Sequence, residues 1–216
     1  LFMLAESEQK DLFESAFDMG YNWEGHHIMN ELAQGKADVT KWDAYMKKID
    51  TTYQEDDILM NFITNHDENS WNGTVQERMG DAADAMLVFQ YVIPGMPLIY
   101  SGQEYGMDKR LKFFEKDSIP KTKGRVWEQM KKLGDIKNSN PALHGGKNAA
   151  SYKRLSTNND KDIYAIERSK EGKKVVYVAN LKDQPTQVIV KGMSGDYRDL
   201  ISGATIRMKK DEPTEM

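Results

Sequence analysis

The sequence contains no cysteine, which excludes both disulfide bonds and thiolate metal sites. It contains no apolar run that approaches the roughly 18 residues of a membrane-spanning helix, so no membrane span is predicted. Basic residues do not outnumber acidic ones, and the formal net charge at pH 7 is −4. Because binding to nucleic acid requires clustered excess basic charge, this balance argues against nucleic acid as the main partner.

The composition indicates a globular, soluble protein, because 39% of the 216 residues are hydrophobic and 30% are charged. The chain opens on an apolar segment, residues 1–5, which has no basic leader and is followed at once by Glu6. This is not a signal peptide, but it has the composition of a buried strand. We therefore expect a fragment of a longer protein. Its localisation is not readable from these residues, although an extracytoplasmic location is compatible with them.

Strands and helices alternate over the first 143 residues. Apolar segments predict strands at 1–5, 13–21, 58–64 and 96–100. Helical spacing of apolar residues predicts helices over 26–34, over 74–92 with Thr74 as its cap, and over 125–137. A further helix is predicted to begin after a cap at Thr40. Four strand–helix units predict an α/β fold with a parallel sheet, as in a barrel whose active site lies at the carboxyl ends of its strands.

The pattern changes after Leu143, where Gly145 and Gly146 indicate a linker. Alternating segments then predict antiparallel strands over 164–168, 174–180 and 186–190, with one or two more between 196 and 208. Turns are expected at 171–172 and 182–185. We therefore expect two domains, residues 1–143 and residues 144–216, the second a small antiparallel β-sandwich.

Polar side chains follow each predicted strand, which is where α/β folds place their chemistry. The strand at 58–64 ends in Asn65, His66 and Asp67. A His–Asp pair at a strand end suits a functional site, although a turn capped by Asn and Asp explains it equally well. Similar groups follow the other strands: Glu6, Tyr21 with Trp23, and Gln103 with Glu104.

Two carboxylates from neighbouring strand ends that face one pocket are what glycoside hydrolysis requires. One must be a protonated acid and the other an anion, so their environments should push the two pKa values apart. Aromatic residues such as Tyr21, Trp23 and Trp71 would suit stacking against sugar rings. Packing in the core or at its rim is the simpler explanation for each of them.

Other candidates carry less information. His27 and Glu31 have the spacing of a helical metal pair, but no further ligand accompanies them, so we expect a solvated helix face and predict no metal site. Residues 102–106 are not a phosphate loop, because no Lys-Ser/Thr follows them. The charged run at 109–123 is expected to be a solvated loop.

Three segments, in order, resemble motifs of one family. Residues 2–6, Phe-Met-Leu-Ala-Glu, resemble the fifth-strand motif of the α-amylase family of glycoside hydrolases (family thirteen). Residues 62–67, Phe-Ile-Thr-Asn-His-Asp, resemble its seventh-strand motif. Residues 95–104 resemble the eighth-strand motif, with the pattern G-x-P-x-x-x-x-G-x-E. Together with the trailing β-domain, the resemblance covers essentially the whole chain.

The resemblance implies part of an enzyme that acts on α-glucosidic bonds with retention. It makes Glu6 the general acid/base, Asp67 the carboxylate that binds sugar hydroxyls and stabilises the transition state, and His66 a hydrogen-bond donor to the same sugar. The partner would be an α-glucan or a maltooligosaccharide. No cofactor is expected in this chain, although calcium, which many members bind outside this stretch, is possible in a full-length parent.

The chain also departs from the family. The family's nucleophilic Asp lies in a fourth-strand motif, G-x-R-x-D, and no segment of this sequence matches it. We therefore expect a partial (half) TIM barrel of strands five to eight, inactive by itself and able to self-associate through its open sheet edges. The alternatives are a non-catalytic α-glucan-binding or assembly protein, and a truncated piece with no function of its own.

Overall fold

A four-stranded parallel sheet, with its strands in chain order, organises the first part of the molecule. The computed structural model describes residues 1–182 and 184–215. The strands of the sheet are β1 (Leu4–Ala5), β2 (Met19–Tyr21), β3 (Ile58–Asn61) and β4 (Met96–Pro97). Each pair of neighbours is parallel, so the predicted α/β fold with a parallel sheet is confirmed.

Within the described residues, five α-helices connect and follow these strands. They are α1 (Trp23–Ala33), α2 (Val39–Thr52), α3 (Val75–Met79), α4 (Ala83–Val92) and α5 (Arg125–Ser139). Their apolar faces form the main core, in which Trp42, Met29 and Phe89 are almost completely buried. Among the described residues, no helix is long and apolar enough to cross a membrane.

Two predicted helices differ from those observed. The predicted helix at 74–92 is interrupted, because Gly80 has φ +50° and a 3₁₀ turn at Gly80–Ala82 separates α3 from α4. Thr74 does cap α3, with its hydroxyl accepting from the Glu77 N–H and the Glu77 carboxylate accepting from the Thr74 N–H. Thr40 is not a cap: Asp38 caps α2 and accepts from the Thr40 N–H.

The strands are shorter than predicted. The predicted strand at 13–21 is extended only in β2, because residues 10–17 coil into a 3₁₀ turn (Lys10–Leu12) and a following turn in which the Phe17 N–H donates to the Leu12 carbonyl. The predicted strand at 96–100 stops at Pro97, and the Gln103–Tyr105 turn follows. The short parallel ladder therefore ends close to the polar residues that follow each strand.

The second part of the chain is antiparallel, as predicted. Its strands are β5 (Ser151–Arg154), β6 (Ile163–Lys170), β7 (Lys173–Asn180), β8 (Gln187–Val188), β9 (Gly195–Arg198), β10 (Thr205–Met208) and β11 (Thr214–Glu215). They form a three-stranded sheet, β5-β6-β7, and two ladders, β8 with β11 and β9 with β10. Side chains from β6, β8 and β10 share a second core, which includes Ile163, Val188 and Met208.

Two differences concern this antiparallel part. Strand β5 was not predicted, because its residues are polar and lack an apolar alternation. The predicted strand at 186–190 pairs with β11 rather than with β7. Residue Asp183 of the predicted turn at 182–185, and Met216 at the end of the predicted second domain, lie outside the described residues.

Two cations hold the end of α4, and one of them, Arg168 of β6, joins it to the antiparallel part of the chain. The Arg168 guanidinium, 1% exposed, donates to the carbonyl of Val92 at the end of α4 (2.7 Å). It also donates to the carbonyls of His144 and Ala150 in the connecting segment and of Ser151 at the start of β5. Lys137 donates to the carbonyls of Tyr91 and Leu143. Burial lowers the pKa of Lys137 to about 8, and the nearby Arg168 acts in the same direction. Both cations satisfy carbonyls that a helix end leaves unpaired.

The main core continues across the predicted domain boundary at 143/144. Tyr164, Ile166 and Val175 of the antiparallel sheet belong to the same buried cluster as the helices. The Trp42 indole N–H donates to the Tyr164 hydroxyl at 3.0 Å. The division into residues 1–143 and 144–216 stays a prediction, and the two parts share one hydrophobic interior.

Gly95 provides a sharp test of this packing. Its φ is +100°, and a Cβ placed there would lie 2.2 Å from the Leu59 carbonyl oxygen of β3. We expect Gly95→Ala to lower the free energy of unfolding by about 2 kcal/mol or more, because both the backbone conformation and the close approach are incompatible with a side chain. Urea unfolding followed by circular dichroism measures the change.

Gly134→Ala is the matched control for this substitution. Gly134 lies inside α5, and a Cβ there would meet nothing within 4 Å. Replacing a helical glycine by alanine is expected to raise the free energy of unfolding by about 0.5–1 kcal/mol. Equal effects of the two substitutions would contradict the close packing of Gly95 against β3.

Candidate active site

Three ionisable side chains meet at the carboxyl edge of the parallel sheet. Glu6 follows β1, and His66 and Asp67 follow β3. The His66 Nε2 atom lies 3.3 Å from a Glu6 carboxylate oxygen and 3.8 Å from an Asp67 carboxylate oxygen. One ligand atom from each of the three side chains lies within 4.8 Å of the other two. The structure therefore brings together all three residues singled out from the sequence.

Strand β2 separates the strands that carry these residues and contributes Tyr21 between them. Tyr21 N–H donates to the Ser7 carbonyl at 3.0 Å, which places the turn after Glu6 over the end of β2. Gly20 allows this approach, because a Cβ there would lie 2.6 Å from the Ser7 carbonyl oxygen. Burial raises the pKa of Tyr21, and the negative charges of Glu6 and Asp67 raise it further.

A helical turn begins at His66 and continues as a π-helix over Glu68–Asn72. The Asn65 side-chain oxygen accepts from the Glu68 N–H at 2.8 Å, and the Asn65 carbonyl accepts from the Asn69 N–H. An amide oxygen that caps the turn in this way fixes the direction in which the following residues project. His66 and Asp67 are thus held by a turn that Asn65 caps, whereas Asp67 makes no capping bond. The role of the two residues in a functional site stays a prediction.

Behind the turn lies a buried ion-pair network. His26 is fully buried, with its Nδ1 3.0 Å from the Phe62 carbonyl oxygen and its Nε2 2.9 Å from a Glu68 carboxylate oxygen. Burial lowers the pKa of His26, against the hydrogen bond and negative charge of Glu68, which act to raise it. Burial acts to raise the pKa of Glu68, but the hydrogen bond and charge of His26, with Asn72 and Arg78, outweigh it and lower this pKa to about 2.

Arg78 completes this network from α3. Its guanidinium donates to the Ile63 carbonyl at 2.7 Å, to the Gly73 carbonyl at 3.1 Å and to the Asn30 side-chain oxygen at 2.6 Å. These contacts fix the chain on both sides of the segment that contains His66 and Asp67. The network therefore restrains the backbone that presents the two residues.

The cluster itself remains open to solvent. The side chains of Glu6, His66 and Asp67 are 53%, 43% and 38% exposed. Two carboxylates and an imidazole in such an opening can accept from and donate to the hydroxyl groups of a ligand. A carboxylic acid beside an anion is also the arrangement that acid catalysis of glycoside cleavage uses.

Metal binding can be judged from the same residues. This cluster is the one group of three or more His, Cys, Asp or Glu side chains within residues 1–182 and 184–215 that could hold a metal ion. One imidazole nitrogen and two carboxylates do not provide the six to eight oxygen ligands that calcium takes. The cluster therefore does not fit a calcium ion.

The remaining candidates lie elsewhere. The Glu104 carboxylate accepts from the N–H of Gly102 in its own loop and is not part of the cluster. His27 stacks against Trp23, whereas Glu31 pairs with Lys41 of α2, so the i, i+4 pair does not act together. Tyr21 and Trp23 pack on the ring of Phe62, which is the packing role considered for them.

His26 and Glu68 were not identified from the sequence as a pair. The helical spacing of His26 with Met29 and Ala33 places it on the apolar side of α1, and this was the available signal. The partner of His26 comes from a segment 42 positions away in the sequence, so no local pattern identifies it.

Comparison with known proteins adds a family to this geometry. Residues 9–174 match the family described as Alpha amylase, catalytic domain. The matched range includes His66 and Asp67, begins after Glu6 and crosses position 143.

Individual relatives cover most of the chain. Alpha-amylase MalA of Haloarcula japonica is 24% identical over 89% of the chain and 28% of its own length. Cyclomaltodextrin glucanotransferase of Klebsiella oxytoca is 24% identical over 80% of the chain and 30% of its own length. The crystal structure of an alpha-amylase from Lactobacillus plantarum superposes with a TM-score of 0.79 at 25% identity, over 96% of this chain and 48% of that one. The chain thus spans about a third or less of the curated relatives and about half of the solved one.

Substitution of Glu68 tests the buried network. We expect Glu68→Gln to lower the free energy of unfolding at pH 7 by about 3 kcal/mol, because His26 and Arg78 lose a buried anionic partner. The depressed pKa of Glu68 also predicts stability that is fully present above about pH 4.5 and is lost as the pH falls towards about 2. Urea unfolding between pH 5 and pH 3 measures both effects, and the variant should lose stability less steeply there.

Asp84→Asn is the control, because Asp84 forms an exposed ion pair with Arg125. Removing such a pair is expected to cost less than about 1 kcal/mol. Similar losses in the two variants would contradict a special role for the buried carboxylate.

Proposed function

The chain belongs to the α-amylase family of glycoside hydrolases, and from this premise we propose that it forms part of a retaining enzyme that acts on α-glucans. The observation that carries the proposal is the convergence of Glu6, which follows β1, with His66 and Asp67, which follow β3. In this proposal Glu6 protonates the glycosidic oxygen and later activates water. Asp67 binds sugar hydroxyls and stabilises positive charge in the transition state, and His66 donates a hydrogen bond to the same sugar.

The exposure of the cluster supports this assignment. Its polar atoms are accessible to a ligand, whereas the neighbouring His26–Glu68 pair is buried and fully engaged. Burial and the negative charges of Glu6 and Asp67 raise the pKa of Tyr21, so it remains a neutral hydroxyl near pH 7. A neutral phenol near the cluster adds no charge to it.

The chain by itself is proposed to be catalytically incompetent. Retention requires a carboxylate nucleophile about 5–5.5 Å from the acid, and its attack forms a covalent glycosyl intermediate. The G-x-R-x-D segment that would carry it does not occur in the 216 residues. The same observation favours the second candidate, a non-catalytic α-glucan-binding or assembly protein that retains the binding residues.

Binding and turnover separate these candidates. We expect calorimetry to show saturable binding of maltoheptaose, with Asp67→Asn and His66→Ala each raising Kd about tenfold because a charge-assisted hydrogen bond is lost. No reducing sugar should be released from starch. Glu104→Gln, an acid of the same sheet edge outside the cluster, serves as the control and should bind like the original chain. Starch turnover by the chain would contradict incompetence, and undiminished binding by Asp67→Asn would contradict the proposed site.

We also propose that the parallel sheet is half of a barrel. Exposed apolar side chains lie in or beside its outer strands β1 and β4, namely Leu1, Phe2, Met3 and Leu4 at one edge, and Met96 and Ile99 at the other. Exposed edges of this kind favour pairing with another sheet.

Self-association is therefore expected at micromolar concentration. Light scattering coupled to size exclusion should give a mass above the 24.8 kDa of one chain. Leu4→Lys should shift the chain towards the monomer, because a charged side chain disfavours edge pairing. Leu200→Lys, at an exposed apolar position of the antiparallel part, is the control. A monodisperse monomer of the original chain would contradict the proposal.

A further inference from the structure

Exposed aromatic rings gather beside the candidate active site. Trp71 of the π-helix and Phe113 and Phe114 of the loop after β4 are 57%, 39% and 85% exposed. The ring centroids of Trp71 and Phe113 are 5.2 Å apart, and those of Phe113 and Phe114 are 4.8 Å apart. The loop was expected to be only a solvated, charged segment. Three large rings that contact one another in solvent form a continuous apolar surface, which we call the aromatic platform.

The platform adjoins the ionisable cluster. The ring centroid of Phe113 lies 6.0 Å from that of His66, and the His66 Nε2 atom in turn lies 3.3 Å from Glu6. A ligand that reached the cluster could therefore extend over the rings without leaving the surface.

Hydrogen bonds hold the two segments of the platform together. The Asn69 side chain donates to the Lys109 carbonyl at 3.0 Å and accepts from the Leu111 N–H at 2.8 Å. The Ser70 hydroxyl donates to the Leu111 carbonyl at 2.8 Å. These bonds tie the residues immediately before Trp71 to those immediately before Phe113.

The far side of the loop is closed by Asp117. Its carboxylate pairs with the Lys109 ammonium and accepts from the N–H groups of Lys112 and Ser118. The ion pair and these hydrogen bonds lower the pKa of Asp117 to about 2, so it remains charged at neutral pH. Rings fixed in advance lose less conformational freedom when a ligand binds.

The surface chemistry identifies the class of ligand. A pyranose ring has an apolar C–H face, which is buried favourably against an aromatic ring, and a rim of hydroxyl groups that stays hydrated. We propose that Trp71, Phe113 and Phe114 bind a glucosyl unit of an α-glucan by stacking, next to the unit held by Glu6, His66 and Asp67. The choice of an α-glucan rests on the proposed function of the cluster, whereas the stacking surface is observed independently of it.

Trp71 provides its own optical probe. Of the four tryptophans, Trp42 is buried and Trp23 and Trp127 are half-buried, so Trp71 is the most exposed to a ligand. Titration of the 216-residue chain with maltoheptaose should change tryptophan fluorescence saturably. The change should disappear in Trp71→Phe, which retains a ring and therefore most of the binding measured by calorimetry.

Alanine substitutions test the platform. Trp71→Ala and Phe114→Ala should each raise the Kd for maltoheptaose about tenfold, because one stacking surface is lost. Phe114 is 85% exposed, so its variant tests the platform even if Trp71→Ala does not fold. Trp127→Ala is the matched control, because this ring of α5 stacks on Tyr105 rather than on the platform, and its loss should leave Kd unchanged.

The results distinguish the platform from the cluster. Binding that weakens in Asp67→Asn but is undiminished in both Trp71→Ala and Phe114→Ala overturns the platform and leaves the proposed function standing. Binding that weakens in the two platform variants but not in Asp67→Asn supports the platform and contradicts the proposed cluster. Equal affinity for maltoheptaose and a β-linked cellooligosaccharide, or no saturable binding of maltoheptaose, overturns the assignment of the platform to α-glucans.

Discussion

The buried contact between the His26 imidazole and the Glu68 carboxylate constrains the rest of the candidate site. His26 also holds the Phe62 carbonyl, and Arg78 holds the Ile63 and Gly73 carbonyls, so the chain is fixed before and after His66 and Asp67. Charges inside a protein carry a large desolvation cost, which is offset only when every polar group is well paired. The fold keeps them because they restrain a turn that apolar packing alone would leave less well defined.

The exposed residues of the candidate site, unlike the buried network of His26, Glu68 and Arg78, are free to interact with ligands. The polar atoms of Glu6, His66 and Asp67 face solvent, and the aromatic platform continues the same surface. The two layers separate two requirements, because rigid support needs paired and buried groups, whereas ligand binding needs unpaired and accessible ones. Residues of the two kinds are neighbours in the sequence, because the Asp67 side chain is exposed and the next side chain, that of Glu68, is buried.

Sequence patterns predicted the parts of the molecule that depend on local periodicity. The apolar segment that became β3, the capped start of α3 and the antiparallel pair β6 and β7 were all recognisable, and the motifs around Glu6 and Asp67 identified the edge at which they meet. The polar strand β5 was missed because pairing with β6, rather than its own pattern, makes it a strand. The His26–Glu68 pair was missed, and of the aromatic platform only Trp71 was named, for a related reason, because each joins segments that are distant in sequence.

The guanidinium of Arg168 has a consequence for how such a chain can be rearranged. It binds carbonyls from the end of α4 and from the connecting segment while belonging to β6, so neither part of the molecule has a self-contained polar interior. Recombination at a linker can exchange modules only when each carries its own hydrogen-bond partners. A graft that replaced residues 144–216 with an unrelated β-domain would leave the Val92 carbonyl of α4 without the Arg168 guanidinium. We therefore expect recombination to exchange the antiparallel sheets and the helices together rather than separately.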